Sequence, residues 1–263
     1  LKESGCFIIN PEEGELASGL SGVGRLPEIE TLVKTVDDIL ERVHQDLRGK
    51  RVLVTAGPTY EPIDPVRFIG NYSSGKMGFA IANAAALRGA DVTLVAGPVQ
   101  LRTPRNVRRI DVRTAREMYA AVHQEFDRAD VVIMAAAVAD FAVEHPASQK
   151  IKRERRGDDV MTLTLTNNPD ILKSLGEKKK HHVLVGFALE TENGITNAQA
   201  KLQEKKLDII VLNNPNENGA GFNADTNRVT IISADGKTEE LPLLPKFDVA
   251  LRLLDRVKST LPQ

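Results

Sequence analysis

The residues best placed to do chemistry sit in a few short stretches. GNYSSGKMG, residues 70–78, sets Gly70, Gly75 and Lys76 in the register of a phosphate-binding P-loop, G-x-x-x-x-G-K-[ST], but has Met77 where that motif needs a magnesium-binding hydroxyl. The context departs as well. A P-loop follows directly on a strand, whereas here the 12-residue insert PTYEPIDPVRFI, with three prolines, separates RVLVTAG (51–57) from Gly70. The segment is therefore not read as a P-loop. What survives is Ser73, Ser74 and Gly75 at the start of a helix, where free amides and the helix dipole attract anions; a serine there also serves as a plain cap.

Lys150, Lys152, Arg153, Arg155 and Arg156 fall within seven positions. The chain carries 35 basic and 36 acidic residues, a formal charge of -1, so no global field draws it to nucleic acid or a membrane surface. An anionic ligand must be met locally, and this cluster either neutralises a polyphosphate or forms a solvated face. Lys201 and Lys205 share a helical face and have the same two readings. In AAAVAD, the small side chains of Ala135, Ala136 and Ala137 let a flat ligand approach the backbone, or pack against a helix. Asp140 follows at the strand's carboxyl end, as ligand contact or turn residue. The insert itself carries Glu61, Asp64 and Arg67, with Asn71 just beyond it.

Other chemistries find little support. Cys6 is the only cysteine, which excludes an internal disulfide framework and a multi-cysteine zinc site and suits a reducing compartment. His181 and His182 are expected at the surface, and His44, His123 and His145 lack metal-ligand spacing. No serine lies in a nucleophile elbow. No apolar run reaches the roughly 18 residues of a membrane span. The chain starts at Leu1 without methionine and is read as a piece of a longer protein.

Positioning these residues requires alternating elements. RVLVTAG, DVTLVAGP (91–98) and DVVIMAAAVAD (130–140) are short apolar runs read as buried strands, separated by helical stretches from Gly75 to Arg88 and Thr114 to Arg128. Strand alternating with helix gives a parallel sheet with right-handed crossovers, a Rossmann-like α/β fold with flanking helices. Ahead of it, residues 1–27 read as glycine-rich loop, and Ile29 to Leu47 repeat at three- and four-residue steps as an amphipathic helix ending at Gly49. Residues 149–166 break the rhythm: a basic segment, a Gly-Asp turn and alternating Met161, Leu163 and Leu165 predict a projecting β-hairpin flap. Then follow NPDILKSLGEKK as helix, HHVLVGFALE as strand, a helix through Ala198 to Lys205, and DIIVLNN as strand. A hairpin turning at Asp235-Gly236 and a helix from Lys246 to about Lys258 close the chain. Phe187 in GFALE is read as core, or as a wall beside a base.

TAGPTYEPIDPVRFIGNYSSGKMG, AAAVADF, QKIKRE, NNPDIL, GFALET and KLQEKKLD, in that order and spacing, resemble the phosphopantothenoylcysteine synthetase family of coenzyme A biosynthesis, in its bacterial CTP-dependent type. The resemblance runs from about Arg51 to near the C-terminus, and the long first motif with AAAVAD is its specific part. GELASGLSGVGRLPE is similar to the substrate flap of the flavin-dependent decarboxylase that bacteria fuse ahead of the synthetase. The usual catalytic cysteine is Ser18 here and the usual methionine is Leu26. The resemblance thus implies residues 1–49 as a decarboxylase remnant plus linking helix, and residues 50–263 as the synthetase domain.

It implies joining 4'-phosphopantothenate to L-cysteine through an acyl-cytidylate, with CTP as co-substrate, magnesium beside the triphosphate, and FMN only in the missing decarboxylase part. Lys150 would meet the triphosphate, Asn71 the intermediate, and Asp140 and Ala137 the phosphopantothenate arm. Arg67 would reach the neighbouring site of a homodimer, and Ser73, Ser74 and Gly75 would take a phosphate end. Gly57, Ala136, Phe187, Lys201 and Lys205 fall in nucleotide-site motifs. Metal ligands are not assigned, and the cytoplasm is the expected location. Two other readings compete: a nicotinamide oxidoreductase, which lacks its glycine-rich turn directly after RVLVTAG, and a non-catalytic nucleotide-binding assembly module.

Overall fold

The computed structural model describes residues 7–15, 21–42, 45–152, 160–190, 193–213 and 224–261. In chain order the elements are β1 (Glu12–Glu15), β2 (Ser21–Arg25), α1 (Ile29–Arg42), β3 (Arg51–Ala56), β4 (Tyr60–Pro62), β5 (Phe68–Gly70), α2 (Lys76–Leu87), β6 (Asp91–Ala96), β7 (Val107–Asp111), α3 (Ala115–Phe126) and β8 (Val131–Met134). They continue as β9 (Phe141–Val143), β10 (Leu165–Asn167), α4 (Ile171–Lys178), β11 (Val183–Leu189), α5 (Gly194–Glu204), β12 (Ile209–Asn213), β13 (Thr226–Asn227), β14 (Val229–Ser233), β15 (Thr238–Glu240), β16 (Leu244–Pro245) and α6 (Lys246–Thr260).

The central sheet runs β15-β14-β12-β11-β8-β3-β6-β7. From β7 to β12 all neighbours are parallel, and β14 and β15 add an antiparallel edge. Val54 of β3 sits between Leu94 and Ile133, in register with both. Such strands are apolar on both faces because both are covered. Val52 and Val54 face α2 and α6 together with Phe79, Ile81, Leu253 and Leu254, while Leu53 faces α3, α4 and α5 together with Met118, Phe126, Leu175 and Leu202. The result is three layers, with strand order reversing between β3 and β8; in doubly wound sheets that reversal opens a crevice outside the carboxyl ends.

Several expectations shift in detail. The Arg51 to Asp140 region holds an extra strand, β7, whose VRRID carries three charges on a half-covered edge and so hides its apolar signal. The proline-rich insert is a hairpin, β4 with β5, and Tyr60 stacks on Phe68 with ring centroids 3.7 Å apart. Residues 12–15 and 21–25 are not plain loop, since β1 pairs antiparallel with β2. The first helix is described over Ile29–Arg42 and does not run to Leu47, which instead is fully buried under α2, its amide bonded to Arg88. In α1, Ile29, Val33 and Val36 remain exposed. Among the described residues, continuous burial therefore begins at Leu47.

At the expected flap the described pairing is β9 with β10: Leu165 lies in a strand as expected, but its partner Val143 precedes the segment expected to pair. Met161 and Leu163 lie in no strand, and Arg153, Arg155, Arg156 and Ser18 lie outside the described residues. His182 also departs from expectation: it is 2% exposed, stacked on Phe126 at 4.0 Å and beside His181. Burial, and then the neighbouring His181, hold its pKa below the usual histidine value.

Because the folded state keeps His182 neutral, its contribution to stability is complete above the unfolded pKa of about 6.5 and falls away as pH drops toward the lower folded value. Unfolding free energy should therefore decline from pH 7 to pH 5.5. In His182→Phe, which keeps the stacking, denaturant titrations should show a shallower decline; the same slope in both chains would refute this account.

Candidate functional site

The crevice between β3 and β8 is built from backbone. Pairing continues past both strand ends as a parallel bridge between Pro58 and Ala137. The Ala137 amide donates to Gly57 O at 2.9 Å, and the Thr59 amide to Ala137 O at 3.3 Å. Two buried hydroxyls complete the seam: Thr55 Oγ1 accepts from the Ala136 amide at 3.1 Å and Thr59 Oγ1 from the Ala139 amide at 2.9 Å. The small residues of AAAVAD are thus held with their backbone along the crevice. Asn168 fixes the next step, its side-chain amide donating to Ala139 O and its backbone amide to Asp140 O. Asp140 is exposed at the rim.

Asn71 closes the other side. Its Nδ2 donates to the carbonyls of Ala137 (3.2 Å) and Val138 (3.1 Å), so the segment leading to α2 is tied to the segment after β8. The cap of α2 is Gly75, at φ 77°, with no side-chain cap bond; Ser73 Oγ lies 3.4 Å from the Gly75 amide. The serines are therefore not the helix cap itself. A Cβ on Gly75 would lie 3.4 Å from Gly57, and one on Gly78 only 2.5 Å from the Ala56 side chain. Gly57, Gly75 and Gly78 together let the helix start sit against the strand end. The spacing that dinucleotide folds write consecutively is here interrupted by the β4–β5 hairpin.

A family model for the DNA/pantothenate metabolism flavoprotein C-terminal domain matches residues 47–261, the span that the burial boundary at Leu47 delimits. The chain belongs to that family. Within the flavoprotein C-terminal domain family, it is 47% identical over 98% of its length to the Coenzyme A biosynthesis bifunctional protein CoaBC of Bacillus subtilis (strain 168), of which it spans 64%. It is 48% identical, again over 98% of its length, to a Cysteine/Cysteine sulfinic acid decarboxylase from an unknown prokaryotic organism, of which it spans 72%. The crystal structure of the C-terminal domain of a Coenzyme A biosynthesis bifunctional protein CoaBC superposes with a TM-score of 0.70 at 42% identity, covering 82% of this chain and 97% of that one.

In this family member the remaining expected residues lie on several elements, each with its own local partners. Phe187 is half-buried on β11, one position beyond the last pairing with β8, beside the level where the AAAVAD segment starts. Lys201 pairs with Glu190 at 2.6 Å and Lys205 with Asp170, the cap of α4, at 2.8 Å, so neither is a merely solvated charge. Lys150 is exposed and has no ion pair among the described residues. Arg67 is held within its own chain, by Asp64 and by the carbonyl of Ile151. The Arg67 hydrogen bonds keep the Asp64 carboxyl far below the ordinary aspartate range, against its burial.

The sequence reading passes over Thr55, Thr59 and Asn168, which look like ordinary strand and turn residues, as well as Lys246; Lys76 enters it only through the rejected P-loop register, yet the two lysines stand at adjoining helix starts. Lys76 pairs with Asp225 at 2.7 Å. Lys246, at the start of α6, is buried and donates to Ala224 O; burial, then repulsion by Lys76, pushes its pKa down to about 8. Among the described residues no group of three or more His, Cys, Asp or Glu stands together as a metal cage. A cavity of about 440 Å³ opens at the opposite, amino ends of β3 and β6, but there Arg108 is already bonded to Glu125 and Thr93. The crevice, with its carbonyls and glycines at the strand reversal, is the better ligand site.

Proposed function

We propose that this chain ligates 4'-phosphopantothenate to L-cysteine, activating the pantothenate carboxylate with CTP as an acyl-cytidylate. The observation that carries the reading is the crevice where Asn71 clasps the Ala137–Val138 backbone beside the glycine-flanked start of α2. It sits in a domain 42% identical to the CoaBC C-terminal domain.

A carboxylate resists amine attack until its oxygen becomes part of a good leaving group. Transfer of the α-phosphoryl of CTP to that oxygen releases pyrophosphate, and attack by the cysteine amine then expels CMP and forms the amide. The α2 start and its serines bind phosphate through backbone donors. Lys150 supplies charge to the triphosphate in the first step. Asn71 uses both N–H groups on the loop, which leaves Oδ1 to accept an N–H of the incoming amine. Phe187 walls the nucleotide side, and Lys201 and Lys205 border it. Magnesium would accompany the triphosphate and offset its charge, and the exposed Asp140 at the rim would meet the phosphopantothenate arm.

Residues 50–263 form the ligase, working as a cytoplasmic homodimer. Residues 1–49 end a fused flavin-dependent decarboxylase whose FMN lies outside this chain. The name of the 48%-identical relative favours a second reading, release of carbon dioxide from cysteine or its sulfinic acid. One assay separates the two: pyrophosphate, CMP and carbon dioxide are followed with phosphopantothenate, with and without cysteine, with CTP or ATP. Pyrophosphate release that needs phosphopantothenate and CTP, with the amide appearing only when cysteine is added, is the expected outcome. Carbon dioxide from cysteine alone, without pyrophosphate, would replace the ligase by the decarboxylase.

A further inference from the structure

Asp64 lies at the tip of the β4–β5 hairpin with only 3% of its surface exposed. Its two carboxylate oxygens face different tasks. Oδ1 accepts the backbone amides of Val66 and Arg67, both at 2.8 Å, and closes the hairpin turn. Oδ2 accepts Arg67 Nε at 3.0 Å, Arg67 Nη2, and the amide of Ile151 at 3.1 Å. Arg67 Nη2 also donates to Ile151 O at 3.0 Å. A single ion pair thus holds both backbone polar groups of a residue more than 80 positions away. A second pin, Ala147 N to Ile63 O at 2.9 Å, fixes the same segment four residues earlier.

The turn alone does not explain a carboxylate. An asparagine closes such a turn through one oxygen, without the desolvation that a buried charge suffers. The second oxygen is occupied entirely by Arg67 and Ile151, and Ile151 follows Lys150 directly. A lysine on a freely moving segment must be ordered at each binding event, whereas one on a pinned backbone is already in place.

We propose that Asp64, acting through Arg67 and Ile151, is a positioning residue that fixes the backbone of Lys150 at the base of the basic segment for a polyphosphate ligand. The role rests on the ligase reading; the clamp itself does not.

Asp64→Asn separates the two tasks. Its Oδ1 keeps the turn, while its Nδ2 presents donors to the donors of Arg67 and Ile151. Amide exchange in the free protein should then accelerate at Ile151 by about tenfold or more, with Val66 nearly unchanged. CTP affinity should fall about tenfold in the Lys150 background and less than about twofold in Lys150→Ala, the non-additivity expected of residues acting as one unit. Unchanged exchange at Ile151 overturns the clamp whatever the chain catalyses. Equal losses in both backgrounds overturn the positioning role, because Asp64 would then act elsewhere. A wild-type chain that binds no CTP and releases no pyrophosphate overturns the ligase reading and the role with it, leaving exchange at Ile151 to decide the clamp.

Discussion

Asn71→Asp should form the amide product about 100-fold more slowly than the native chain, a loss of about 3 kcal/mol in transition-state stabilisation. The side chains are nearly the same size, so the effect is electronic. Native Nδ2 donates to two carbonyls, Ala137 O and Val138 O, at 3.2 and 3.1 Å. A carboxylate offers no donor and repels both oxygens, so the AAAVAD backbone is released from the α2 side of the crevice. Asn71 is exposed, so water replaces much of the lost bonding and stability should fall by only about 1 kcal/mol. The signature is therefore a large kinetic loss with a small shift of the unfolding midpoint. Measuring amide formation and chemical denaturation on the same preparation checks it. A proportionate loss of both, or an activity within threefold of native, would remove Asn71 from the site.

That pairing of Asn71 with AAAVAD shows what sequence can and cannot disclose. The strands β3, β6, β8, β11 and β12 are legible because a buried parallel strand is nearly continuous in apolar residues, and RVLVTA or DIIVLN has few other uses. Thr114 and Asp170 mark the starts of α3 and α4 and cap them as their types suggest. The strand β7 escapes because an edge needs only one covered face, and its charges dominate any window. Pairings such as β4 with β5 or β9 with β10 escape because three-residue strands carry too little pattern to outweigh prolines or a charge cluster. The burial of His182 escapes for a related reason: KKKHH is charged on average, yet the last residue before a buried strand already lies under Phe126.

For the site, residue types were legible and the partners were not. Gly57, Asn71, Gly75, Ala136 and Ala137 meet in one crevice, as their place at strand ends and at a helix start suggested. That Asp64 and Arg67 would hold Ile151 could not be read from either motif. The contact joins two segments through one carboxylate, and no local spacing encodes it.

The same limit applies to Gly97, which looks like a routine end to DVTLVAGP and is expected to be among the least replaceable residues in the chain. A Cβ built on it would lie 1.7 Å from Pro58 O and 2.8 Å from Pro58 C, whereas a carbon-oxygen contact needs about 3.3 Å. The chain after β3 must then move by more than 1 Å, and it has little room to do so. Gly97 N donates to Ala56 O on one side, and Gly57 O and Thr59 N bond to Ala137 on the other. Overpacking against backbone of this kind costs about 3 kcal/mol or more, which for a domain of this size lowers the melting temperature by roughly 10 °C. Gly57 and Pro58 are paired with Ala137, so on the proposed ligase reading the protection that CTP gives against thermal unfolding should vanish in Gly97→Ala even at temperatures where the chain stays folded. Gly236→Ala is the control: it carries the strain of φ 86° but meets nothing within 4 Å, so it should lose about 1 kcal/mol and keep its response to CTP. Equal behaviour of the two variants would refute the Pro58 carbonyl as the constraint at Gly97, which, unlike Gly236, has no left-handed φ to strain.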